Sequence, residues 1–357
     1  MKQRLGHLPL LPLLAAATAI GLAGAARAEC SADSWQDCKG KPWVTGDRMD
    51  TPLGERWWPN ELWGAGDEAG STNWYARPEV VLRAVAEADK GRVYRLGRPY
   101  EADMPTFGPR KWVLRIPGSP TGGPFGASGT IYHDEYIATE IGQIGTQFDG
   151  LGHIGVAADP TDKAKMYYYN GVTEAEMTDE TGLKKNGVEK LRPITARGVL
   201  IDVAGAKGVE MLDRGYEITM ADVRDALRRQ GMADLAFMEG DAVLFHTGWG
   251  KLWKKDNARF NSGEPGFGME VARWLSDEVK AGVYGSDTWA GEVIPNPDPA
   301  CVFCVHQHMQ TRHGIVHQEN AVFDDLIADK AYRFMYVYSP MAIVGATGSA
   351  GAPLAID

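Results

Sequence analysis

A glycine-rich segment, residues 143–153, gathers several side chains that could do chemistry. It reads Gln143-Ile-Gly-Thr-Gln-Phe-Asp-Gly-Leu-Gly-His153 and offers two carboxamides, one carboxylate and one imidazole. If the backbone is extended, side chains alternate between two faces, so Gln143, Gln147 and Asp149 fall on one face. The glycines allow sharp turns and a close approach of the backbone to a ligand. This composition is typical of a binding or catalytic site.

These residues resemble the signature of the cyclase superfamily, which includes bacterial kynurenine formamidases and isatin hydrolases. The usual signature is His-x-Gly-Thr-His-x-Asp-x-x-x-His, and here glutamine stands at both leading histidine positions. The segment 63–73, Trp-Gly-Ala-Gly-Asp-Glu-Ala-Gly-Ser-Thr-Asn, is similar to an amino-terminal family segment. Residues 306–320, which end in Gly-Ile-Val-His-Gln-Glu-Asn, are similar to a late family segment. The resemblance extends over residues 57–345.

The resemblance implies a divalent metal that activates water. A bound metal ion lowers the pKa of water and polarises the carbonyl that water attacks. The implied ligands are carboxylates, an imidazole and carboxamides, namely Asp149, Gln143, Gln147, His306 and Glu319. His153 closes the signature, and its near-neutral pKa suits proton transfer to a leaving group. We therefore expect His153 and Glu319 to take part in catalysis.

The two glutamines affect which metal the site would prefer. A carboxamide replaces a good nitrogen donor by a weak, neutral oxygen, so a dinuclear zinc site is not expected. Three alternatives follow: a single Mn²⁺ or Zn²⁺ ion held by Asp149, Glu319, His306 and a glutamine; carboxamides that bind substrate directly; or no metal. We prefer the first, because an oxygen-rich shell suits Mn²⁺.

Four of the eight histidines lie within residues 306–317. If this stretch is helical, His306, Gln310 and His313 share a face, and His308 points elsewhere. Histidines 308, 313 and 317 are possible replacements for the missing nitrogen donors. The family pattern gives no support for His317 as a ligand, so a position on the surface or behind the ligands is favoured for it.

Residues 1–28 predict a signal peptide. Lys2 and Arg4 precede an apolar stretch, residues 8–25, and the sequence Ala26-Arg27-Ala28 has the small-x-small form that signal peptidase cuts. An uncleaved anchor is the alternative, but two prolines interrupt the apolar stretch. We expect a periplasmic or secreted protein without a membrane segment after cleavage.

Charge and cysteine content narrow the functional classes. Removal of residues 1–28 changes the formal charge from -10 to -13, and no basic cluster remains, so nucleic acid binding is not expected. Four cysteines in an exported chain favour disulfides, with Cys30–Cys38 and Cys301–Cys304 as the local pairings among three possible connectivities. A redox or zinc role for Cys301-Val-Phe-Cys304 is the alternative.

We expect the chain to divide into a signal peptide (1–28), an aromatic-rich amino-terminal arm (29–75) and one cyclase-like catalytic domain (76–357). Patterns typical of helices begin at Pro78, at the Thr219-Met-Ala-Asp222 capping box and at Gly268. Strands are predicted at 92–96, 112–116, 136–141, 199–203, 241–247, 283–286 and 334–339. This alternation predicts an α/β fold of mixed α+β character. The resemblance implies a swivelling β/α/β fold with a central mixed sheet.

Together these observations predict an exported metal-dependent hydrolase that cleaves a linear or cyclic amide, or a lactone, with metal-activated water. One alternative is a periplasmic small-molecule binding protein that has lost hydrolysis. Another is a metal-independent cyclase or dehydratase that uses Asp149 and His153 as an acid–base pair. The resemblance also implies a homo-oligomer.

Overall fold

The structure, a computed structural model, describes residues 56–357. The predicted signal peptide, residues 29–55 of the arm, and Cys30 and Cys38 lie outside the described residues. Cys301 and Cys304 form a disulfide. Within residues 56–357, no helix has both the length and the apolar character needed to cross a membrane.

A nine-stranded sheet forms the centre of the fold. Its strands are β1 (Val93–Arg95), β2 (Gln147–Asp149), β3 (Ile194–Asp202), β4 (Ala242–His246), β5 (Val283–Ser286), β6 (Val316–Glu319), β7 (Arg333–Tyr338), β8 (Gly348–Ala350) and β9 (Leu354–Ile356). Their spatial order is β1-β9-β7-β3-β4-β5-β6-β2-β8. Strands β3 to β6 run parallel, and the other pairings are antiparallel. The described chain is thus a single α/β domain built on a mixed sheet, as predicted.

Eight helices surround this sheet within the described residues. They are α1 (Pro78–Val85), α2 (Glu174–Met177), α3 (Val203–Lys207), α4 (Met220–Arg229), α5 (Asn257–Asn261), α6 (Met269–Arg273), α7 (Cys304–His306) and α8 (Asp324–Ala328). Two of them continue as π-helix: α6 through Trp274–Val279 and α7 through Gln307–Arg312. Short 3₁₀ turns lie at Gly70–Ala76, Lys163–Lys165, Tyr169–Gly171, Val188–Lys190 and Trp249–Leu252.

Apolar side chains fill both faces of the central sheet. In β3, Leu200 enters one hydrophobic cluster, whereas its neighbours Val199 and Ile201 enter the cluster on the opposite face. This follows from the alternation of side chains along a strand. Each fully buried side chain of this kind stabilises the fold by about 1.5–3 kcal/mol. The continuous apolar run of β3 therefore reflects burial on both faces.

The predicted capping box at the start of α4 is present. The Thr219 hydroxyl accepts from the Asp222 backbone N–H, and the Asp222 carboxylate accepts from the Thr219 backbone N–H at 3.0 Å. Such a cap contributes about 1 kcal/mol by satisfying N–H groups that have no partner inside the helix. Here local sequence alone determines where a helix begins.

Residues 112–139 form a two-stranded β-ribbon, called the ribbon below. Trp112–Arg115 pairs with Tyr136–Thr139, and Gly122–Phe125 pairs with Thr130–Tyr132. The predicted strands at 112–116 and 136–141 are therefore strands of the ribbon and are not part of the central sheet. Seven of the seventeen large hydrophobic side chains that are exposed in the described part of the chain belong to it: Leu114, Ile116, Phe125, Ile131, Tyr132, Tyr136 and Ile137.

Three shorter ladders complete the secondary structure of the described residues. They pair Val156–Ala157 with Met166–Tyr167, Thr178–Asp179 with Gly182–Leu183, and Glu217–Ile218 with Gly266–Phe267.

The tryptophans in the described part of the arm pack onto the body. Trp58 stacks on Tyr167 at a ring distance of 5.0 Å, and Trp57 meets the same ring edge-on at 6.4 Å. Trp63 contacts Trp74 at 4.8 Å, and Trp74 belongs to the main hydrophobic core. These contacts hold the described part of the arm on the body through aromatic packing.

Candidate metal centre

The pairing of β2 with β6 places four polar side chains on one face of the sheet. Asp149 lies opposite His317, and Gln147 lies opposite Glu319. Directly opposed residues in an antiparallel pair share a face, and the intervening Phe148 faces the hydrophobic core. The register of one strand pair thus brings together residues that are about 170 positions apart in sequence.

Helix α7 adds His306 to this face. The group formed by Asp149, His306, His317 and Glu319 is called the buried centre below. Its four ligand atoms all lie within 4.8 Å of one another, and all four residues are buried. His306 Nε2 lies 3.4 Å from Glu319 Oε1, and His317 Nδ1 lies 3.4 Å from the same oxygen. His317 Nδ1 also lies 3.8 Å from Asp149 Oδ2. Two carboxylates and two imidazoles therefore converge on one point.

Glu292 holds His306 from behind. Its carboxylate lies 2.5 Å from His306 Nδ1 and accepts the backbone N–H of His306 at 3.0 Å. A carboxylate on the outer nitrogen fixes the orientation of the ring and directs Nε2 into the buried centre. Burial disfavours the imidazolium, yet the hydrogen bonds with Glu292 and Glu319 raise the pKa of His306 to about 10.

Carboxamides surround the two carboxylates. Gln147 Nε2 donates to Glu319 Oε2 at 2.6 Å, and Gln143 Nε2 donates to Asp149 Oδ1 at 3.2 Å. Gln310 Nε2 donates to the other oxygen of Asp149 at 3.4 Å. In this arrangement the glutamines orient the carboxylates. Because a half-turn of the amide exchanges its nitrogen and oxygen, the same positions can also offer oxygen to a cation.

His317 is completely buried and stacks on Tyr284 with ring centroids 4.1 Å apart. Neither of its ring nitrogens makes a hydrogen bond. Burial lowers the pKa of His317 to about 4, so the imidazole is neutral at physiological pH. A Cβ at Gly291 would approach His317 Nε2 to 2.7 Å, so glycine leaves the room that this ring occupies. A neutral imidazole without a hydrogen bond is a suitable metal ligand.

Gly348 lies on β8, the second strand that pairs with β2, and it leaves room for the Gln143 amide beside Asp149. Gly348 lies opposite Asp149 in the pairing of β8 with β2. A Cβ at Gly348 would approach the backbone oxygens of Gly142 and Phe148 to 2.7 Å, and Gln143 Nε2 to 3.0 Å. Any larger residue at this position would displace the Gln143 amide.

The two carboxylates of the buried centre have opposite pKa shifts. Burial opposes ionisation of Asp149, but the imidazoles beside it, chiefly His153 and His317, hold its pKa below the usual range. Burial and the charge of Asp149 raise the pKa of Glu319 to about 8. Mutual repulsion explains this separation, because two adjacent buried carboxylates cannot both ionise at low cost. A divalent cation would remove the repulsion and take the place of the protons.

His153 lies at the edge of the buried centre, where its side chain is 20% exposed. Its Nε2 is 3.8 Å from Asp149 Oδ2. Burial lowers its pKa, and the Asp149 carboxylate opposes that shift. A neutral, partly accessible imidazole beside a cluster of ligands is placed to accept a proton and to return it.

The donor set fits a divalent metal ion. The buried polar atoms that lack a hydrogen bond include both ring nitrogens of His317 and the side-chain oxygens of Gln143 and Gln310. Buried polar atoms are normally paired, so unpaired atoms beside two carboxylates indicate a missing ligand. Two imidazoles with two carboxylates and flanking amides suit Zn²⁺ or Mn²⁺.

Aromatic rings lead from the buried centre toward solvent. Phe303 meets His306 edge-on at 5.6 Å, Trp289 contacts Phe303 at 6.4 Å, and Phe107 stacks on Trp289 at 4.7 Å. The guanidinium of Arg110 lies over the Phe107 ring at 5.7 Å and donates to the backbone oxygen of Gln143 at 2.9 Å. The path thus combines apolar surface with one cation.

The structure brings together all of the ligand positions suggested by sequence: Asp149, Gln143, Gln147, His306 and Glu319. Of the two positions favoured for His317, on the surface or behind the ligands, the surface position is wrong, because this ring is completely buried beside Asp149 and Glu319. The sequence contained a signal for the buried position, since His317 precedes Glu319 by two residues and side chains in a strand repeat at that period. Glu292 carried no such signal, because a single glutamate in a loop has no distinguishing pattern.

The expectation for the helical histidines was correct for two of the three residues. His306 and Gln310 both face the buried centre, but His313 packs against His308 with ring centroids 4.4 Å apart. The cause is the π-helical segment Gln307–Arg312, in which the His313 backbone N–H donates to the His308 carbonyl. Residues five apart stack in a π-helix, whereas the prediction assumed α-helical spacing.

Comparison with known proteins gives consistent matches. A family model described as "Putative cyclase" matches residues 94–293, more than half of the chain, and ends before His306. The crystal structure of a novel cyclase is 27% identical with a TM-score of 0.71, and the match covers 83% of this chain and 96% of that one.

Two isatin hydrolases share the fold at lower identity. Isatin hydrolase A from Ralstonia solanacearum is 20% identical with a TM-score of 0.51, over 77% of this chain and 96% of that one. Isatin hydrolase A from Labrenzia aggregata is 18% identical with a TM-score of 0.52, over 78% and 97%. No curated protein sequence is detectably similar to the chain.

Proposed function

The chain belongs to the cyclase family, and from that premise we propose that it is a metal-dependent hydrolase of linear or cyclic amides or of lactones. The observation that carries the proposal is the buried centre, in which two carboxylates and two imidazoles converge within 4.8 Å. The fold shared with the two isatin hydrolases supports the same reaction class.

A divalent ion bound by Asp149, His306, His317 and Glu319 would supply an activated water and polarise the substrate carbonyl. The protein's own groups perform the remaining tasks. Gln147 and Gln143 orient the two carboxylates through their amide N–H groups. His153 accepts a proton from the attacking water and returns it to the leaving nitrogen or oxygen, which its lowered pKa and partial exposure favour.

The metal in this proposal is Zn²⁺ or Mn²⁺. Gln143 and Gln147 occupy positions that are histidines in the usual signature, and their carboxamides are weak ligands. His317 restores one nitrogen donor from the facing strand β6, at 3.4 Å from Glu319 Oε1. The resulting shell of two nitrogens and two carboxylates can hold either ion.

The proposed substrate carries an aromatic group next to the scissile bond. Phe303, Trp289 and Phe107 form a continuous series of ring contacts that starts at His306. An aromatic substrate could lie against these rings, with Arg110 beside a polar substituent. N-formyl-anilines, aromatic lactams and aromatic lactones are therefore the compounds to screen first.

The test combines elemental analysis of the untreated protein with the mass of the product. We expect stoichiometric zinc or manganese and loss of turnover on chelation. A lactam or lactone should give one product heavier than the substrate by one water, and a linear amide should give two fragments whose masses add up to the substrate plus one water. Turnover that is unaffected by metal removal would reject the metal-dependent mechanism. Product lighter by one water would instead identify a dehydratase, and thermal stabilisation by ligands without any product would identify a binding protein.

Export to the periplasm or the medium is part of the proposal. It is supported by the signal-peptide pattern of residues 1–28 and by the Cys301–Cys304 disulfide, since disulfides persist mainly in oxidising compartments. Fractionation of the producing cells, with amino-terminal sequencing of the mature protein, tests it. We expect the mature chain to begin at Glu29.

A homo-oligomer assembled through the ribbon is also proposed. An isolated two-stranded ribbon is marginally stable in water, and this one exposes seven large apolar side chains, so a second copy of the chain is the partner that would bury them. Light scattering of a Phe125→Ser/Ile131→Ser variant should give a smaller mass than the wild type. Leu82→Ser on α1, where the leucine is 68% exposed, should leave the mass unchanged.

A further inference from the structure

A second group of potential ligands, called the outer cluster below, lies on the opposite side of the helix that provides His306. It consists of Asp277, His308 and His313, whose ligand atoms lie within 4.8 Å of one another. His308 is 3% exposed, His313 is partly buried and Asp277 is exposed. From this geometry we propose that the outer cluster binds a second divalent transition metal of the Zn²⁺ class.

Two π-helical segments create the outer cluster. Asp277 lies in Trp274–Val279, and His308 lies in Gln307–Arg312. The π-helical turn places His313 directly over His308, with their rings 4.4 Å apart. An α-helix would separate residues five apart by more than one full turn, so the π-helix is the reason that two imidazoles meet. π-Helical turns are rare in proteins, and those that occur often lie at functional sites.

Ser276 supports the arrangement at the contact between the two segments. Its hydroxyl lies 2.9 Å from His308 Nε2 and donates to Asp277 Oδ1 at 2.8 Å. One hydroxyl therefore connects the carboxylate of the first segment with an imidazole of the second. Side chains held by such outer hydrogen bonds need little further ordering when they bind a metal.

The donor set and its exposure define the kind of ion. Two imidazoles and one carboxylate are the protein ligands of many three-ligand zinc sites, in which water fills the fourth position. Zinc brings its ligand atoms to about 3.3 Å from one another, given bonds of about 2.0–2.1 Å in a tetrahedron. Donors already within 4.8 Å reach that spacing through small side-chain rotations. The exposed Asp277 lies on the side from which an ion would enter.

The groove beside Asp277 carries both signs of charge. It has a volume of about 660 Å³, and its lining includes the acids Glu270, Asp277 and Glu278 together with Arg224 and Arg273. Because the two arginines offset two of the three acids, the groove does not by itself attract a cation strongly. The imidazoles therefore decide the affinity, which favours Zn²⁺, Co²⁺ or Ni²⁺ over Mg²⁺ or Ca²⁺.

The inference is independent of the proposed hydrolase activity. The outer cluster shares no residue with the buried centre, yet both take residues from the continuous helix that runs from Cys304 to Arg312. An ion in the outer cluster would tie the segment that contains His308 to the segment that contains Asp277. Its first expected effect is therefore greater thermal stability.

The experiment titrates Zn²⁺ into chelator-treated full-length protein and measures stoichiometry by equilibrium dialysis with elemental analysis. We expect Asp277→Asn and His313→Gln to bind one equivalent fewer than the wild type, or to bind it at least roughly tenfold more weakly. Glu278→Gln, which changes a neighbouring exposed acid outside the outer cluster, should match the wild type. Wild-type stoichiometry and affinity in His313→Gln would overturn the inference.

A variant that lacks a ligand of the buried centre tests metal binding by the outer cluster alone. Asp149→Asn impairs the buried centre and leaves the outer cluster intact, so this variant should still bind one Zn²⁺ and gain thermal stability from it. Adding His313→Gln to Asp149→Asn should abolish both effects. Zinc-induced stabilisation that is equal in the single and the double variant would contradict the inference, whatever the outcome for hydrolysis.

Discussion

The buried centre and the outer cluster use the same chemical groups on opposite sides of one helix, but they are built differently. The buried centre takes three of its four residues from paired strands of the central sheet, and all four are buried. The outer cluster takes its residues from two π-helical segments, and one of its three donors is exposed. Strand register thus positions one group, and helix winding positions the other.

Burial is what separates the two groups chemically. In the buried centre, loss of water and close charges raise the pKa of Glu319 to about 8 and lower that of His317 to about 4. Perturbed pKa values of this kind are common at catalytic sites. The outer cluster has Asp277 in solvent, which weakens electrostatic effects. We therefore expect catalysis only in the buried centre, and metal-dependent stability from the outer cluster.

Removal of a carboxylate should produce the largest contrast. Asp149→Asn or Glu319→Gln removes a charged ligand, and we expect turnover to fall roughly 10²–10⁴-fold, the range associated with loss of a key catalytic group. Asp277→Asn should change turnover less than about twofold, within the small effects of surface substitutions. Steady-state kinetics on the best substrate, with metal content measured in parallel, tests this. A large loss of activity in Asp277→Asn would abolish the proposed distinction.

Removal of the Glu292 carboxylate, which holds His306 from behind, should have the second largest effect. Glu292→Gln removes the carboxylate 2.5 Å from His306 Nδ1 and should weaken metal binding about 10–100-fold. The exposed Glu278 provides a matched control, since Glu278→Gln makes the same change of side chain at a residue that belongs to neither group. Competition with a metal indicator measures the affinities. Equal affinities in the two variants would mean that Glu292 has only a packing role.

Restoring a family histidine should strengthen metal binding. Gln147→His replaces a weak oxygen donor by an imidazole, and we expect Zn²⁺ affinity to rise about tenfold, a size typical of changes around a metal shell. The same variant loses the amide that donates to Glu319 at 2.6 Å. If the affinity falls, orientation of Glu319 by Gln147 matters more than ligand number. Isothermal titration with zinc distinguishes the two results.

Asp202 and His246 form an imidazole–carboxylate pair outside both groups, and it serves as a reference without a metal. Its loss should have the smallest effect of the changes considered, and that effect is on stability. Burial opposes the charged form of His246, but the hydrogen bond with Asp202 at 2.6 Å and the charge of Asp287 raise its pKa above the ordinary 6.5. The stability from this pair is therefore fully present below pH 6.5 and is lost as the pH rises through the folded-state pKa.

The free energy of unfolding of wild type and His246→Gln, measured by urea denaturation from pH 5.5 to pH 9, tests the reference pair. The difference in the free energy of unfolding between wild type and His246→Gln should become smaller as the pH rises. His133→Gln, at an exposed histidine of the ribbon, should show no such trend. A wild-type advantage that grows with pH would mean that His246 is neutral in the folded protein.

Local patterns predicted much of the fold. The helix beginning at Pro78, the capped start of α4, and the strand candidates at 283–286 and 334–339 correspond to α1, α4, β5 and β7. These signals succeed because proline, capping side chains and β-rich runs act within a few residues. The ribbon was predicted as strands but not as a separate ribbon, because strand propensity does not specify a partner.

Sequence alone determined which chemical groups this protein offers, namely two acids, a cluster of histidines and the carboxamides Gln143 and Gln147 among glycines. Only the tertiary structure decided how they are used. The register of β2 against β6 placed His317 inside the buried centre, a loop brought Glu292 behind His306, and the π-helical turn moved His313 to the other side. Each of these depends on contacts between distant segments. A local pattern, such as the two-residue spacing of His317 and Glu319, predicts a shared face but does not specify what packs against that face.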